Sequence, residues 1–266
     1  MTALSFDEVS AGSRLQPERQ RGIHNLAQRN GSVDVAELAR RFDVTPETIR
    51  RDLSELQAQG LLRRVHGGAV LVERNHYEPT LSARNVQNLD EKLAIAKMAL
   101  DEIPANGSVM IDSGSTGQKL AEFFPGDRNV HVVTNSLPTA LTLAQRGVNE
   151  ITVLGGGVRI NTLAMVDAAT VEAVRLIRVD VLFISCDGLS FQRGLTAPLR
   201  AEWEVKRAMI DSARRIVALV DQSKLGNDLM YSYADLEDLD VLITDRRADD
   251  EAVSLIAGRG VDVRRA

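Results

Sequence analysis

From residue 90 onwards, short apolar segments that suit buried strands alternate with longer segments of helical periodicity. Strands separated by helices pair in parallel and are covered on both faces. We therefore expect residues 90–266 to form an α/β domain with a mostly parallel sheet. The predicted strands are 108–112, 130–133, 151–154, 181–185, 216–220 and 241–244, and the predicted helices are 90–103, 118–124, 137–146, 166–177 and 202–213.

The residues that follow four of these strands are rich in hydroxyls, amides, acids and glycine. Ligands of parallel sheets bind beyond the carboxyl ends of the strands, and small residues before a helix let backbone N–H groups approach an anion. Any one such turn is more often a simple cap, but the repetition favours a phosphorylated, polyhydroxylated ligand. The candidates from this pattern are Asp112, Ser113, Gly114, Ser115, Thr116, Thr134, Asn135, Ser136, Gly155, Gly156, Arg159, Asp187 and Gly188.

Residues 17–72 predict a second, smaller domain of three helices and a hairpin. Asp34 is placed to cap the second helix, and Thr45–Pro46–Glu47 supplies the hydroxyl cap, proline and acid that begin a third. The hairpin turns at residues 66–68. The predicted helices are 17–29, 35–41 and the segment from 45 to 60, and the predicted strands are 61–65 and 69–72, the order of a winged helix-turn-helix.

The third helix presents a polar face that suits the major groove of DNA. Apolar residues at i, i+4 and i+7 from Ile49 mark its buried side, which places Arg51 opposite, with Thr48 and Arg50 beside it. Arginine bonds guanine edges bidentately and threonine contacts phosphate or a thymine methyl. The same spacing also fits a small helical domain with a solvated charged face. On the hairpin, the candidates for contact with phosphate or the minor groove are Arg63, Arg64 and His66.

The net charge of −5 is unusual for a DNA-binding chain, but the charge is unevenly distributed. Residues 17–68 contain nine arginines and seven acidic residues, a surplus of two positive charges. The remainder of the chain therefore carries about −7. Because this surplus is small, the adjacent pairs Arg50–Arg51 and Arg63–Arg64 favour DNA binding more than the total does.

Composition argues against several other classes of protein. Cys186 is the single cysteine, so neither an intrachain disulfide nor a cysteine-based metal site is expected, and the four histidines show no ligand spacing. We expect no cofactor, no metal and no membrane span, and a cytoplasmic location. Residues 1–16 are polar and predict a disordered lead-in, while residues 73–89 predict a linker.

Three stretches of the smaller domain resemble the helix-turn-helix of the DeoR family of bacterial regulators. They are R-x-x-x-I at 19–23, V-x-x-L-A-x-x-F-x-V-T-x-x-T-I-R-R-D-L at 35–53 and G-L-L-R-R-V-H-G-G-A at 60–69. The resemblance implies that Thr45, Thr48, Arg50 and Arg51 face operator DNA. It also implies that His66, Gly67 and Gly68 form the tip of the wing.

The larger domain resembles the DeoR-type sensor domain, whose fold is similar to sugar-phosphate isomerases and aminosugar-phosphate deaminases. The matching motifs are D-x-G-S-T at 112–116, V-V-T-N-S-L-P at 132–138, L-G-G-x-V-R at 154–159, D-G at 187–188, G-L-T at 194–196, E-x-x-x-K-R-A-M-I at 202–210 and D-x-S-K-x-G at 221–226. The resemblance implies that residues 113–116 and Lys224 hold phosphate. It further implies that Asp187, Glu202 and Lys206 line the sugar end of the pocket.

Two residues depart from the family pattern. Asp167 stands where glycine is usual, which either alters the local backbone or adds a ligand contact. Leu199 stands where an acid is common and removes a polar group from the rim of the pocket. Both departures bear on the identity of the sugar and leave the expected fold unchanged.

The expected function is transcriptional regulation by a homodimer or homotetramer that binds double-stranded operator DNA and is released by a phosphorylated sugar. Family habit makes a fructose phosphate the first candidate. One alternative is a sugar-phosphate isomerase or deaminase with a DNA-binding appendix, in which Asp187 and Glu202 transfer protons. Another is a regulator whose larger domain only oligomerises.

Overall fold

The computed structural model describes residues 16–58, 61–71 and 79–266. The chain divides into two compact units, Met1–Pro79 and Thr80–Ala266. The predicted lead-in lies outside the described residues except for Gln16, and so does the part of the predicted linker between residues 73 and 78.

The described part of the first unit has the order of a winged helix-turn-helix. Asp34 caps the second helix as predicted, because its carboxylate accepts hydrogen bonds from the N–H groups of Ala36 (2.8 Å) and Glu37 (3.0 Å). The helices are α1 (Gln16–Asn30), α2 (Val35–Phe42) and α3 (Pro46–Ala58), and the strands β1 (Ser32–Asp34), β2 (Leu62–Val65) and β3 (Gly68–Leu71) form an antiparallel sheet in the order β1-β3-β2. The short β1 was not predicted.

One apolar cluster holds these helices and the sheet together. Ile49, Leu53 and Leu56 of α3 are buried, as the i, i+4, i+7 spacing predicts. They pack with Ile23 of α1 and Leu38 of α2, so α3 is fixed along one side and its opposite side is exposed.

The second unit contains a seven-stranded sheet in which every neighbouring pair is parallel. The strands are β4 (Asn106–Ile111), β5 (Asn129–Thr134), β6 (Ile151–Val153), β9 (Val179–Ile184), β12 (Ala213–Leu219), β14 (Val241–Thr244) and β15 (Asp262–Arg265). Their order in the sheet is β15-β14-β12-β9-β4-β5-β6. The predicted parallel α/β class is confirmed, and β15 is an addition to the six predicted strands.

Helices cover both faces of the sheet. Val181 and Phe183 of β9 pack into one apolar cluster and Leu182 and Ile184 into the other, as alternation along a strand requires. The first cluster includes helices α5 (Leu89–Ala99), α6 (Ser115–Phe123) and α7 (Leu137–Gln145), and the second includes α8 (Ala168–Arg175), α9 (Arg200–Asp211) and α10 (Asp250–Ala257).

Two small antiparallel sheets lie outside the main sheet and were not predicted. Their strands are two to four residues long, too short to give a periodicity that sequence can reveal. The first is β10 (Gly188–Ser190), β11 (Gly194–Ala197) and β13 (Tyr231–Ala234), and the second is β7 (Val158–Arg159) with β8 (Ala164–Met165).

The predicted linker at 73–89 differs from the structure at its C-terminal end. Residues Leu81–Val86 form a helix, α4, which belongs to the second unit. Thr80 caps it, Leu81 is buried, and the Leu81 N–H donates to the carbonyl of Asn161 at 2.8 Å. The polar composition of this segment gave no sign of a helix. One buried apolar residue, Leu81, is enough to fix so short an element.

Candidate functional sites

The exposed side of α3 carries the side chains predicted to face DNA. Thr45 caps the helix, since its hydroxyl accepts from the Thr48 N–H at 3.2 Å and lies 2.9 Å from the Thr48 hydroxyl. Arg50 and Arg51 are exposed, and Arg50 reaches Glu47 at 2.9 Å. Such an exposed ion pair is weak, so the Arg50 guanidinium is available to another anion.

The wing is attached to the same helix. The Arg64 N–H donates to Gln57 Oε1 at 2.8 Å and its guanidinium donates to the Ser54 hydroxyl at 3.1 Å. The turn at Gly67 has φ +81°, a left-handed conformation that glycine adopts without strain, and its carbonyl accepts from the Val35 N–H at 2.9 Å. Arg63, His66 and Gly67 are exposed, so the wing and α3 present one polar surface.

In the second unit, the strand order reverses at β4. The chain runs outward from β4 through β5 to β6 and then returns to β9 on the other side of β4. A ligand crevice forms outside the carboxyl ends of the strands at such a point. The carboxyl ends of β4, β5, β9 and β12 therefore meet at one edge of the sheet. The residues that follow these strands there include 112, 135, 185 and 221.

A pocket lies at this edge. We call it the strand-end pocket. It brings the predicted phosphate residues Gly114, Ser115 and Thr116 together with Lys224. Ser115 and Thr116 are buried at the first turn of α6, where N–H groups have no partner within the helix. The lining is completed by Arg84, Gln87, Asn88, Lys92, Ser185, Cys186, Leu219, Asp221 and Ser223.

Ser113 and Asn135 fix the loop that enters α6. The Ser113 N–H donates to Asn135 Oδ1 at 3.0 Å, and the Asn135 amide donates to the Met165 carbonyl at 3.2 Å. Asn135 is buried, so its contribution is to position the loop.

Lys206 and Asp112 form a buried ion pair beside the pocket. The Lys206 ammonium contacts the Asp112 carboxylate, donates to the Ser185 carbonyl at 2.8 Å and lies 5.5 Å from the centre of the Tyr233 ring. Burial would lower the pKa of Lys206, but Asp112 and Glu202 raise it. Lys206 is therefore a cation at neutral pH.

Two further carboxylates at this edge are paired with arginines. Glu202 accepts from Arg159 at 2.5 Å, and Asp187 accepts from Arg84. Burial would raise the pKa of Asp187, but Arg84, Lys224, Lys206 and Arg159 together lower it. Asp187 is thus ionised at neutral pH and able to accept hydrogen bonds from sugar hydroxyls.

Some candidate residues are engaged within the fold. The Thr134 hydroxyl accepts from the Ser136 N–H at 3.1 Å, and the Ser136 hydroxyl caps α7 by accepting from the Thr139 N–H at 3.3 Å. Gly188 begins β10, where a Cβ would lie 2.6 Å from the Asn227 carbonyl oxygen. These three positions have structural reasons for their residue types.

Asp167 organises the loop that contains Gly155 and Gly156. Its carboxylate accepts from the N–H groups of Gly157 (2.6 Å) and Thr170 (3.0 Å), which caps α8 and lowers the pKa of Asp167. The Thr170 hydroxyl donates to the Gly155 carbonyl at 2.8 Å. The Asp167 side chain therefore holds this loop and the first turn of α8 through backbone N–H groups. Leu199, the other departure, is exposed at the N-terminus of α9 and gives it no side-chain cap.

Several polar residues that line the strand-end pocket were not among the sequence candidates, and three of them lie between residues 84 and 92. Arg84 lies in the segment predicted as a linker, and Asn88 donates to Asp221 (2.9 Å) and Ser223 (3.1 Å). Lys92 donates to the carbonyls of Arg84 and Gln87, both at 2.6 Å, and burial lowers its pKa to about 8. A signal for Lys92 was present, because it shares the apolar face of α5 at i, i+3 and i+4 with Ile95 and Ala96.

The described residues contain neither a candidate metal site nor a candidate membrane span. No group of three or more histidine, cysteine or acidic side chains among residues 16–58, 61–71 and 79–266 could hold a metal ion. Within the same ranges, no helix has the length and apolar character that a membrane span requires.

Comparison with sequence families gives a match to each unit. Residues 19–75 match the DeoR-like helix-turn-helix domain, and residues 87–246 match the DeoR C terminal sensor domain. The second match alone spans more than half of the chain.

Relatives match over nearly the whole chain. HTH-type transcriptional regulator GlpR of Haloferax volcanii is 35% identical over 94% of this chain and 97% of its own length. The glycerol-3-phosphate regulon repressor of Escherichia coli K12 is 32% identical over 86% and 91%. HTH-type transcriptional repressor GlcR of Bacillus subtilis is 30% identical over 93% and 95%. All three are transcriptional regulators rather than enzymes.

Solved structures resemble the chain only distantly. Ribose 5-phosphate isomerase A of Methanocaldococcus jannaschii superposes with a TM-score of 0.39 at 18% identity, over 52% of this chain and 55% of that one. The sorbitol operon regulator SorC of Klebsiella pneumoniae gives 0.40 at 13% identity, over 89% and 99%. Scores this low carry no argument about function.

Proposed function

This chain belongs to the DeoR family of DNA-binding transcriptional regulators with a sugar-phosphate sensor domain, and from that premise we propose that it represses carbohydrate-metabolism genes until a phosphorylated sugar releases it from its operator. The main support for this proposal is the strand-end pocket. There Lys224, Lys92 and Arg84 line the same space as the hydroxyl-rich first turn of α6.

The phosphate group is assigned to the first turn of α6. Backbone N–H groups and the helix dipole at residues 114–116 favour an anion, and Lys224 supplies a positive charge beside them. The sugar hydroxyls are assigned to Asp187, Glu202 and Lys206. Arg159 is the ion-pair partner that orients Glu202, and Asp112 is the partner that orients Lys206.

Operator contact is assigned to the polar surface formed by α3 and the wing. Arg50, Arg51 and Thr48 lie at the N-terminal half of α3, the part that reaches base edges in a helix-turn-helix. Arg63, Arg64 and His66 are assigned to phosphates beside the groove.

The proposed assembly is a homodimer or homotetramer. Regulators of this kind bind two half-sites with two recognition helices, so operator symmetry mirrors that of the protein. The proposal includes a cytoplasmic location, where operator DNA and phosphorylated sugars meet.

The candidate sugar phosphates form a short panel. A fructose phosphate is the first candidate from the family, and the name of the Escherichia coli relative adds glycerol 3-phosphate. Fructose 1-phosphate, fructose 6-phosphate, glucose 6-phosphate and glycerol 3-phosphate therefore form the panel, with the unphosphorylated sugars as matched controls.

The test begins with the operator. Duplexes are selected from a random library with the full chain, and affinity for the selected duplex is measured by fluorescence anisotropy at roughly 0.15 M salt, because phosphate contacts make affinity salt-dependent. Each panel member is then added. We expect one phosphorylated sugar to release the duplex and its unphosphorylated form to have no effect. Failure to select any duplex, or release by none of the panel, would overturn the corresponding half of the proposal.

A further inference from the structure

Arg84 is bound to Asp187, a residue that the proposed function assigns to the sugar hydroxyls. Its guanidinium is paired with the Asp187 carboxylate, and the two side chains retain only 14% and 15% of their exposure. Arg84 also lines the strand-end pocket with Ser115, Thr116 and Lys224. A hydroxyl that approaches Asp187 from the pocket must therefore compete with this guanidinium.

The helix that carries Arg84 is fastened to the same pocket at several points. Lys92 donates to the carbonyls of Arg84 and Gln87 at the C-terminal end of α4, both at 2.6 Å. The Asn85 amide donates to Gln118 of α6 at 3.0 Å. Three hydrogen bonds thus join α4 and its C-cap residue to α5 and α6.

The position of α4 in the chain relates these contacts to the DNA-binding unit. It is the first helix of the second unit, and residues 72–80 join it to β3, the last strand of the wing. A change in how α4 is held is therefore a change at the point where the chain leaves the sensor for the DNA-binding unit.

The exchange of partners at Asp187 requires no proton transfer. An ionised carboxylate accepts hydrogen bonds from a guanidinium or from one or two sugar hydroxyls, and the guanidinium is the stronger partner because it is charged. The phosphate dianion brought by the ligand gives the freed Arg84 cation a new partner within the pocket.

We propose that Arg84 is a positioning residue that couples the pocket to the DNA-binding unit: it holds α4 through Asp187 in the ligand-free protein and gives up Asp187 when a polyhydroxylated phosphate binds. The inference rests on the proposed function. It specifies the ligand further as one with a hydroxyl able to reach Asp187 while its phosphate lies at residues 113–116.

The test uses the full chain and the selected duplex without any ligand. Arg84→Ala is expected to mimic the ligand, lowering affinity for the duplex by roughly 5- to 150-fold, the usual range of allosteric coupling. The swap Arg84→Asp/Asp187→Arg restores the pair and is expected to restore affinity, but the panel sugar that releases the wild type no longer releases it. Arg259→Ala is the matched control, because it removes an exposed pair with Glu237 in the same unit.

Several outcomes overturn the inference. One is wild-type affinity for the duplex in Arg84→Ala. Another is a swap variant as weak as Arg84→Ala, because the pair would then not matter. A third is loss of panel-sugar binding by Arg84→Ala with unchanged ligand-free affinity, which would make Arg84 only a phosphate ligand. Thermal melting verifies folding, and Arg84→Lys, which keeps the charge without the planar fork, provides an intermediate variant. If the wild type binds no duplex, the proposed function fails instead.

Discussion

The guanidinium of Arg19 lies 2.5 Å from the carboxylate of Asp52, with the two side chains 5% and 1% exposed. Two hydrogen bonds join them, from Nε and from Nη2 at 3.1 Å. The pair connects α1 to the centre of α3, between the buried Ile49 and Leu53. The orientation of the DNA-facing side of α3 thus depends on an ion pair in its core.

Removal of Arg19 should destabilise the first unit strongly. Arg19→Ala leaves the Asp52 carboxylate buried without this partner, which costs about 3–5 kcal/mol in comparable cases. Urea unfolding followed by circular dichroism measures the loss. Arg50→Ala breaks the exposed Arg50–Glu47 pair of the same helix and is expected to cost at most about 1 kcal/mol. Equal effects of the two substitutions would contradict the role given to the buried pair.

The helix-turn-helix was predictable because its signals are local. The Asp34 and Thr45 caps and the spacing from Ile49 each act within a few residues, and the structure confirms them. The Arg19–Asp52 pair joins residues 33 positions apart, so periodicity gave no sign of it.

Arg51 provides a test of the DNA-binding assignment. Arg51→Ala is expected to weaken operator binding by about 1–3 kcal/mol if its guanidinium contacts a base, because a bidentate bond is lost. Binding of the panel sugar should be unchanged. The control is Arg214→Ala, an exposed arginine of the sensor unit. Parallel loss of both activities in Arg51→Ala would mean that the assignment of α3 is wrong.

Lys92 gives the sugar affinity a pH dependence. Its pKa of about 8 means that the ammonium loses its proton as the pH rises through 8. The phosphate dianion binds the protonated form, so affinity for the panel sugar should fall above pH 8, by up to about tenfold per pH unit. The second ionisation of a phosphate monoester lies near pH 6, which keeps the ligand itself constant over this range.

The ligand-free protein should show the opposite trend in stability. The unfolded chain keeps the Lys92 proton up to a pKa near 10.5, so this group makes folding more favourable as the pH rises from about 8. Lys92→Met should remove both effects, whereas Lys97→Met on the exposed side of α5 should remove neither. Calorimetric titration in two buffers detects the proton taken up with the sugar; the absence of uptake at pH 8 would refute the assignment.

Asp167 is predicted to support the fold and not to contact the ligand. Its carboxylate is directed at the Gly157 and Thr170 N–H groups, so Asp167→Gly should lower the melting temperature and leave panel-sugar affinity unchanged. Asp167→Asn should recover part of the loss. Because the pKa of Asp167 is lowered, its stabilisation is present above the ordinary value and is lost as the pH falls through the lowered one. A large drop in sugar affinity in Asp167→Gly would instead favour a ligand contact.

The sensor domain was predictable in its centre and less so at its edges. Buried strands such as β9 consist mostly of apolar residues, but β15 has the sequence D-V-R-R and lies at the edge, where charged residues are tolerated. Arg84 escaped prediction for a different reason: its partner Asp187 is 103 residues away. Of the four donor-rich strand ends, only the one that follows β4 supplies residues to the lining of the strand-end pocket, and the pattern did not reveal that α4 and α5 close one side of it.

The most direct test of the account compares wild type and Lys224→Ala on the selected duplex as the releasing sugar phosphate is added. Lys224 lies in the pocket and outside the DNA-binding unit, so the variant should bind the duplex like the wild type and require far more sugar phosphate for release. Release of the variant at the wild-type concentration would contradict the account, because the strand-end pocket would then not be where the phosphate is sensed.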